Sequence, residues 1–269
     1  MHDDPDSAEE PPKTPARRSL LKYLLGFSLL GIVGVWFAST VETAREAARQ
    51  SACQGRLNQM LLAFHNYHDH FGSFPPAYFA DAEGKPMHSW RVLILPFLEE
   101  GDVYEQYDFN EPWNGPNNSK LADQINLHLF HCPSKPDPPG SALTDYVLVV
   151  GAETAFPGSK STTFDDFRDG LENSILLVEI ANSDIHWMEP RDLNFQAMSF
   201  RVDDASQPSI SSPHPAGPAV VFGDRITTYR LDASLRPETL KALMTVSGGE
   251  NVVKDELILE NRSPRTLGE

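Results

Sequence analysis

The feature that most constrains this chain is a run of 19 residues without a charged side chain, from Tyr23 to Val41. It reads YLLGFSLLGIVGVWFASTV and is apolar on every side of a helix. An α-helix needs about 20 apolar residues to cross the roughly 30 Å of hydrocarbon in a membrane. The run therefore predicts a transmembrane helix over residues 23–41, retained as a signal anchor. A cleaved secretory signal and a buried helix of a soluble protein are the alternatives.

The charges on either side of the run predict its orientation. Basic residues precede it with no acid among them: Lys13, Arg17, Arg18 and Lys22. The residues behind it are of mixed sign: Glu42, Arg45, Glu46 and Arg49. Because positive flanks stay in the cytoplasm, we expect a single-pass protein of the cytoplasmic, or inner, membrane with residues 42–269 outside. Residues 1–22 are rich in Pro, Asp and Glu, which predicts a disordered cytoplasmic tail.

The net charge excludes one class of partner. The chain has 22 Lys and Arg against 38 Asp and Glu, a formal charge of −16. Residues 1–22 hold four basic and five acidic side chains, so the remaining 18 basic and 33 acidic ones give residues 42–269 a charge of −15. Proteins that bind nucleic acid neutralise phosphates with Lys and Arg. We therefore expect no nucleic-acid partner.

Behind the run, the pattern stays helical but becomes apolar on one side. The apolar positions recur three and four residues apart, with a histidine continuing the face: Ala44, Ala47, Ala48, Leu57, Met60, Leu61, Phe64 and His68. Gly72, Pro75 and Pro76 then form a stop signal. The sequence predicts one continuous helix of about 48 residues, whose outer half supplies one wall of a core.

After Phe74 the sequence changes to short apolar runs separated by Pro, Gly, Asn and Asp. Five runs are predicted strands: Leu127–His131, Tyr146–Val150, Ser174–Ile180, Ala219–Phe222 and Ile226–Leu231. The segment Trp90–Glu100 fits a strand or a helix, and Arg236–Val246 predicts an amphipathic helix. We expect an α+β fold in which the long N-terminal helix packs on a mostly antiparallel sheet.

Several segments resemble one known family. They are TAREAARQSACQGRLNQMLLAFHNYHDHFGSFPPAYF, SWRVLILPFLEE, YDFNEPWNGPNN, FHCPS, FRDGLENSILLVE and HPAGPAVVFGD, in order from about Thr43 to Asp232. They look like the uncharacterised pilin-like family of planctomycete bacteria, which carries an H-x9-D-G signature near the carboxyl end. His214 and Asp224 match its first two positions. The resemblance implies an extracytoplasmic α+β domain on a membrane helix, often with a prepilin-type N-terminus, and no established activity.

The chain departs from this family at two points. Arg225 occupies the position of the final glycine of the signature. If that glycine normally supplies a positive φ, the turn here must have a different shape. Gly26 and Phe27 imitate a prepilin cleavage site, but Gly31 stands where the fifth residue after cleavage should be glutamate. We therefore predict that the segment is not cleaved.

The resemblance also bears on the two cysteines, because Cys53 and Cys132 match cysteines of that family. Two thiols outside the cytoplasm can oxidise, and a bond closing this loop would stabilise the fold by up to about 4.5 kcal/mol. We expect a disulfide between Cys53 and Cys132. Two unrelated buried thiols are the alternative.

Other chemical patterns favour a structural interpretation. His65 and His68 share a helix face, but no third ligand or catalytic glutamate accompanies them. The oxygen-rich loop at 108–118 lacks the spacing of a hand-type calcium loop. Ser211 or Ser212 could be proposed as a nucleophile beside His214 and Asp224, but no G-x-S-x-G elbow surrounds either serine. We expect no catalytic, cofactor-binding or metal site.

These patterns predict a non-enzymatic, membrane-anchored envelope protein of pilin-like or pseudopilin-like type, with a structural or adhesive role. A homo-oligomer or pilin-like assembly is the expected partner state. The alternative is an envelope glycan-binding protein or hydrolase that uses His214 and Asp224. A possible glycan partner rests on Trp90, Trp113 and Trp187, for which a core position is the favoured interpretation.

Overall fold

The computed structural model describes the backbone of residues 16–125, 127–135, 142–224 and 228–250, with the side chains of these residues except 16–21, 23–27 and 29–31. The chain forms two compact units, Met1–Ala47 and Ala48–Glu269. The predicted disordered tail lies outside the described residues as far as position 15.

The long N-terminal helix is confirmed as α1, Ala16–Phe71. It ends where the stop signal predicts, because Gly72 has a φ of 78° and its N–H donates to the carbonyl of His68 at 2.7 Å. It begins earlier than expected. Residues 16–22, which we assigned to the disordered tail, are helical, since the segment ARRSLLK consists mostly of strong helix formers.

In the first unit, large apolar side chains of α1 are exposed: Ile32, Val33, Val35, Trp36 and Phe37. Within the part of the chain that the structure describes, no helix combines the length and the apolar character needed to cross a membrane. The span predicted at 23–41 is therefore not found, and its side chains at 23–27 and 29–31 lie outside the described residues.

In the second unit, the predicted amphipathic face of α1 is confirmed from Cys53 onward. Leu57, Met60 and Phe64 are fully buried, while Leu62 on the opposite face is 58% exposed. The face does not extend as far back as the sequence pattern suggested, because Ala48 is exposed. An alanine methyl group contributes little buried area, so its helical spacing is a weak signal.

The remaining elements of the second unit are short. The strands are β1 Tyr78–Ala80, β2 Pro86–Ser89, β3 Tyr146–Val147, β4 Val149–Val150, β5 Ile175–Glu179, β6 Leu193–Asn194, β7 Ala219–Phe222 and β8 Thr228–Arg230. The helices are α2 Trp90–Leu93, α3 Gly101–Gln106, α4 Pro116–Gln124 and α5 Pro237–Met244. The mixed α+β class is confirmed.

The main sheet has four strands in the order β3-β5-β7-β8, and every neighbouring pair is antiparallel. Its register pairs Val178 with Val220 and Val221 with Thr228. Two smaller sheets accompany it. Strands β1 and β2 pair antiparallel, whereas β4 and β6 pair parallel. The predicted antiparallel preference therefore holds for the main sheet.

The main sheet is buried on both faces. Val221 packs in the same apolar cluster as Leu57 of α1, and Val220 packs in a second cluster with Leu240 of α5. Consecutive residues of a strand point to opposite faces, so the two clusters lie on opposite sides of the sheet. This explains why β7 and residues 175–178 of β5 are continuous apolar runs instead of alternating ones.

Two segments differ from their predicted structures. The strand predicted at Leu127–His131 is wrong, since residues His128–Phe130 form a 3-10 turn. The next free N–H, that of Cys132, donates to the Asp145 carboxylate instead of a neighbouring strand. The ambiguous segment Trp90–Glu100 is helical, as α2 followed by a 3-10 turn at Leu95–Phe97.

Candidate functional site

Four buried side chains from distant parts of the sequence meet beside α1: Cys53, Cys132, Glu179 and His214. Their sulfur, nitrogen and oxygen atoms all lie within 4.8 Å of one another. Cys53 is on α1 and Glu179 is the last residue of β5. Cys132 follows the 3-10 turn, and His214 precedes β7. We call these four residues the Cys–His–Glu cluster.

The predicted disulfide is not formed in this structure. Both cysteines are free thiols, and their Sγ atoms are 2.9 Å apart, well beyond the roughly 2.05 Å of a disulfide. The imidazole of His214 contacts both sulfurs instead, with its Nε2 3.1 Å from Cys53 Sγ and 3.2 Å from Cys132 Sγ. The predicted disulfide is therefore wrong for this structure: the two sulfurs are neighbours, and both contact His214.

Glu179 is held by one of its two carboxylate oxygens. Its Oε2 accepts hydrogen bonds from Ser212 Oγ at 2.9 Å and from the N–H of Ala219 at 3.1 Å. Its Oε1 is buried, lies 3.8 Å from His214 Nε2 and finds no hydrogen-bond donor among the described residues. This oxygen therefore lies in the Cys–His–Glu cluster, but it accepts no hydrogen bond from the other three residues of the cluster.

A tight turn positions His214. The His214 carbonyl accepts from the N–H of Gly217, and the Gly217 carbonyl accepts from Arg230 at 2.7 Å. Gly217 has a φ of +84°, and a Cβ there would lie 2.3 Å from the Leu231 carbonyl oxygen. Glycine is therefore required at this turn. Ser212, a candidate nucleophile in the sequence, accepts from the His214 N–H through its Oγ and helps to hold this turn.

Polar contacts also fix the two cysteines. Arg49 donates to Ser134 Oγ at 3.1 Å and Arg56 donates to the His131 carbonyl, so α1 is tied to the segment around Cys132 on both sides of Cys53. Asp145 accepts the N–H of Cys132 at 2.7 Å and pairs with Lys135 at 2.8 Å. The spacing of the two sulfurs thus follows from surrounding structure.

The pKa values of the two thiols are shifted in opposite directions. The hydrogen bond with Cys132, and then that with His214, lowers the pKa of Cys53 to about 5 although burial opposes it. The shared contact with Cys53, together with burial, raises the pKa of Cys132 well above its ordinary value. Burial likewise raises the pKa of Glu179. The pKa of the Cys53 thiol is therefore the lower of the two.

The family-signature residues occupy different environments. The side chain of His214 has no exposed surface, and its cluster contacts are with Cys53, Cys132 and Glu179. Asp224 is half-buried in the turn after β7. Arg225, at which the chain departs from the signature, lies outside the described residues.

The sequence did not indicate Glu179 as a site residue. It had one available signal, because Glu179 is the only charged residue in the apolar run ILLVEI. A carboxylate in a strand whose residues are all buried needs a specific partner. The sequence also could not show that His214 meets the cysteines, from which it is separated by 161 and 82 positions.

His65 and His68 lie in an aromatic cluster. His65 contacts the rings of Phe74 and Phe164, and His68 stacks on Phe164 with ring centroids 3.6 Å apart. This packing agrees with the structural interpretation of the two histidines.

The oxygen-rich loop at 108–118 bonds its own backbone. Glu111 Oε1 accepts the N–H groups of Asn117 and Asn118 in the first turn of α4, both at 2.7 Å. Asp108 Oδ1 accepts the N–H of Asn110 at 2.9 Å. These oxygens cap a helix and a turn, which accounts for their concentration here without a metal.

Comparison with known proteins gives one family. Residues 42–156 match the profile of a family described as Protein of unknown function (DUF1559). This stretch contains Cys53 and Cys132 but ends before Glu179 and His214. No curated protein and no solved structure matches the chain. The chain is therefore similar, over that stretch, to an uncharacterised family.

Proposed function

We propose that this chain is a non-enzymatic, membrane-anchored protein of the cell envelope, pilin-like in architecture and structural or adhesive in role. The observation that carries the proposal is the exposure of apolar side chains on α1. Val35 is 74% exposed, and Ile32, Trp36 and Phe37 are each at least 64% exposed. Proteins rarely leave a contiguous apolar patch exposed to water, so we expect this patch to contact a membrane or another protein.

The sequence favours a lipid bilayer as the surroundings of these side chains. The exposed side chains lie within the 19-residue uncharged run from Tyr23 to Val41, which is close to the length of a membrane span. Basic residues precede the run, which favours a cytoplasmic amino terminus and residues 42–269 on the outer side of the inner membrane. A pilin-like assembly of several copies through the same helix is part of the proposal.

The burial of His214 favours a non-enzymatic role over glycan binding or hydrolysis. Its side chain has no exposed surface, so a sugar in solution has no route to its ring. Trp90 and Trp187, considered as a glycan platform, are also buried. A surface cavity of about 470 Å³ is lined by residues such as Asn182, Arg191 and Asp204, and contains neither His214 nor Asp224.

Washing of membranes tests the anchor. We expect the full-length chain to stay in the membrane fraction after high salt and alkaline carbonate, and to be released by detergent. The double variant Ile32→Lys and Val35→Lys should move to the supernatant, because a lysine at the centre of a span costs about 3 kcal/mol. Leu62→Lys is the matched control, since Leu62 is an exposed leucine of the same helix outside the run.

Two results would contradict the proposal. The unmodified chain would be washed off by carbonate, or the double-lysine variant would remain in the membrane as firmly as the control. Crosslinking in the same membranes tests the assembly separately. A product that is strictly monomeric would remove the pilin-like assembly and leave the anchor in place.

A further inference from the structure

We propose that the Cys–His–Glu cluster binds one divalent transition-metal ion, and that Zn²⁺ is the ion it fits best. Two cysteine sulfurs, an imidazole nitrogen and a carboxylate oxygen converge there. These are the donor types that zinc takes in proteins, usually as four ligands in a tetrahedron. Soft thiolate ligands disfavour Mg²⁺ and Ca²⁺, which prefer oxygen.

The distances from His214 Nε2 to the other three ligand atoms are close to those of a tetrahedral site. Zinc–sulfur bonds of about 2.3 Å and zinc–nitrogen bonds of about 2.0 Å place neighbouring ligand atoms roughly 3.3 to 3.8 Å apart. The contacts of His214 Nε2 with the two sulfurs, at 3.1 and 3.2 Å, and with Glu179 Oε1, at 3.8 Å, are near this range. The sulfurs, 2.9 Å apart, must separate by under about 1 Å to reach the tetrahedral spacing.

The buried oxygen of Glu179 is an independent observation that points to a ligand. Glu179 Oε1 is buried and has no hydrogen-bond donor among the described residues, whereas Oε2 of the same carboxylate has two. A buried carboxylate oxygen without a partner is costly, and native structures rarely keep one. A metal ion at the centre of the cluster would supply the missing partner.

The site would be structural instead of catalytic. All four ligands are protein side chains and all are buried, so no position is left open for water or substrate. On binding, the ion displaces the protons of both thiols, which pass to solvent, while Glu179 binds as a carboxylate and His214 as a neutral imidazole. The ion would join α1, the end of β5 and two loops at one point.

Metal binding and a disulfide exclude each other at this site. Formation of a disulfide from the two thiols releases two protons and transfers two electrons to an oxidant. A bound zinc ion keeps both sulfurs as thiolates and occupies the space between them. The oxidation state of the cysteines therefore distinguishes the proposal from the disulfide that the sequence predicted.

The test uses the full-length chain, purified in detergent under reducing conditions. We expect elemental analysis to find one zinc per chain, and competition with a chromogenic chelator to give a saturable affinity. Replacement of Zn²⁺ by Co²⁺ should produce the thiolate-to-metal charge-transfer absorption and the strong visible bands of a tetrahedral sulfur-containing site. This spectrum reports ligation directly and does not depend on stability.

Variants identify the ligands. Removal of a residue that only hydrogen-bonds a metal ligand lowers metal affinity by up to roughly 100-fold. Cys53→Ser removes a ligand itself, so it should lower zinc affinity by more than this and should remove most of the cobalt charge-transfer band. Glu179→Gln keeps the shape of the side chain and provides a second variant if Cys53→Ser fails to fold. It should also weaken binding. His88→Ala is the control, because His88 is buried, bonds Tyr107 and lies outside the cluster.

Three results would overturn the proposal. A reduced, folded chain would take up neither Zn²⁺ nor Co²⁺. Folded Glu179→Gln would bind with the affinity of the unmodified chain. The chain isolated from its native membrane without reductant would contain a Cys53–Cys132 disulfide and no metal. Membrane anchoring would be unaffected by any of these results, so the two proposals fail separately.

Discussion

At the scale of single residues, the buried ion pair between Arg91 and Asp192 connects distant parts of the fold. The Arg91 guanidinium is fully buried in the second unit and donates to Asp192 at 2.7 Å and to the Tyr146 carbonyl at 2.9 Å. Asp192 in turn accepts from the Leu148 N–H and the Trp90 indole. The pair therefore joins α2 to the strands around residue 148. The sequence offers no local pattern for it, because the partners are 101 positions apart.

Replacing Arg91 tests this pair. Arg91→Met should lower the free energy of unfolding by about 3–5 kcal/mol, since it leaves the buried Asp192 carboxylate without its counter-ion. Urea denaturation of the variant and the unmodified chain measures the difference. Arg191→Met is the matched control, because Arg191 pairs with Asp184 on the surface. Its loss should cost under about 1 kcal/mol. Equal losses in the two variants would refute the special role of the buried pair.

At the scale of elements, sequence periodicity predicted the long helix and the strands whose residues are mostly apolar. It found the end of α1, the strands β5 and β7, and helix α5. It missed the 3-10 turn at His128–Phe130 and the two-residue strand β6. Two or three residues carry no period, and tertiary hydrogen bonds decide their conformation.

The part of α1 in the second unit provides the prediction at this scale. Leu61 and Leu62 are neighbours on the helix, but Leu61 is 3% exposed and Leu62 is 58% exposed. Leu61→Ala should lower the free energy of unfolding by about 2–5 kcal/mol, because it leaves a cavity in the core. Leu62→Ala should change it by no more than about 0.5 kcal/mol. Similar effects at the two positions, in the same urea titration, would show that this face of α1 is not a core wall.

The Cys–His–Glu cluster lies between these scales. Through the resemblance to a family, the sequence drew attention to Cys53 and Cys132 as a pair and to His214 separately. It could not place His214 or Glu179 beside the cysteines, because no local motif encodes a contact among α1, a loop, β5 and the segment before β7. Metal sites of small domains are often recognisable from closely spaced ligands. Here the ligands are dispersed over more than 160 positions.

As a whole, the molecule consists of two units joined within one helix. The first unit, Met1–Ala47, contains the exposed apolar side chains, and the second, Ala48–Glu269, contains the core and the cluster. Nearly all of the net charge of −16 belongs to residues 42–269, which carry −15. The proposed anchor therefore belongs to the first unit, and the folded core and the cluster belong to the second.

Mass spectrometry of the chain extracted from native membranes tests membrane anchoring most directly. We predict that the chain is recovered from the carbonate-washed membrane fraction with the whole run from Tyr23 to Val41 retained and no cut after Gly26. An amino terminus at a methylated Phe27 would show prepilin-type processing and contradict the uncleaved anchor. A chain found only in the supernatant, or cut behind Val41, would contradict membrane anchoring itself.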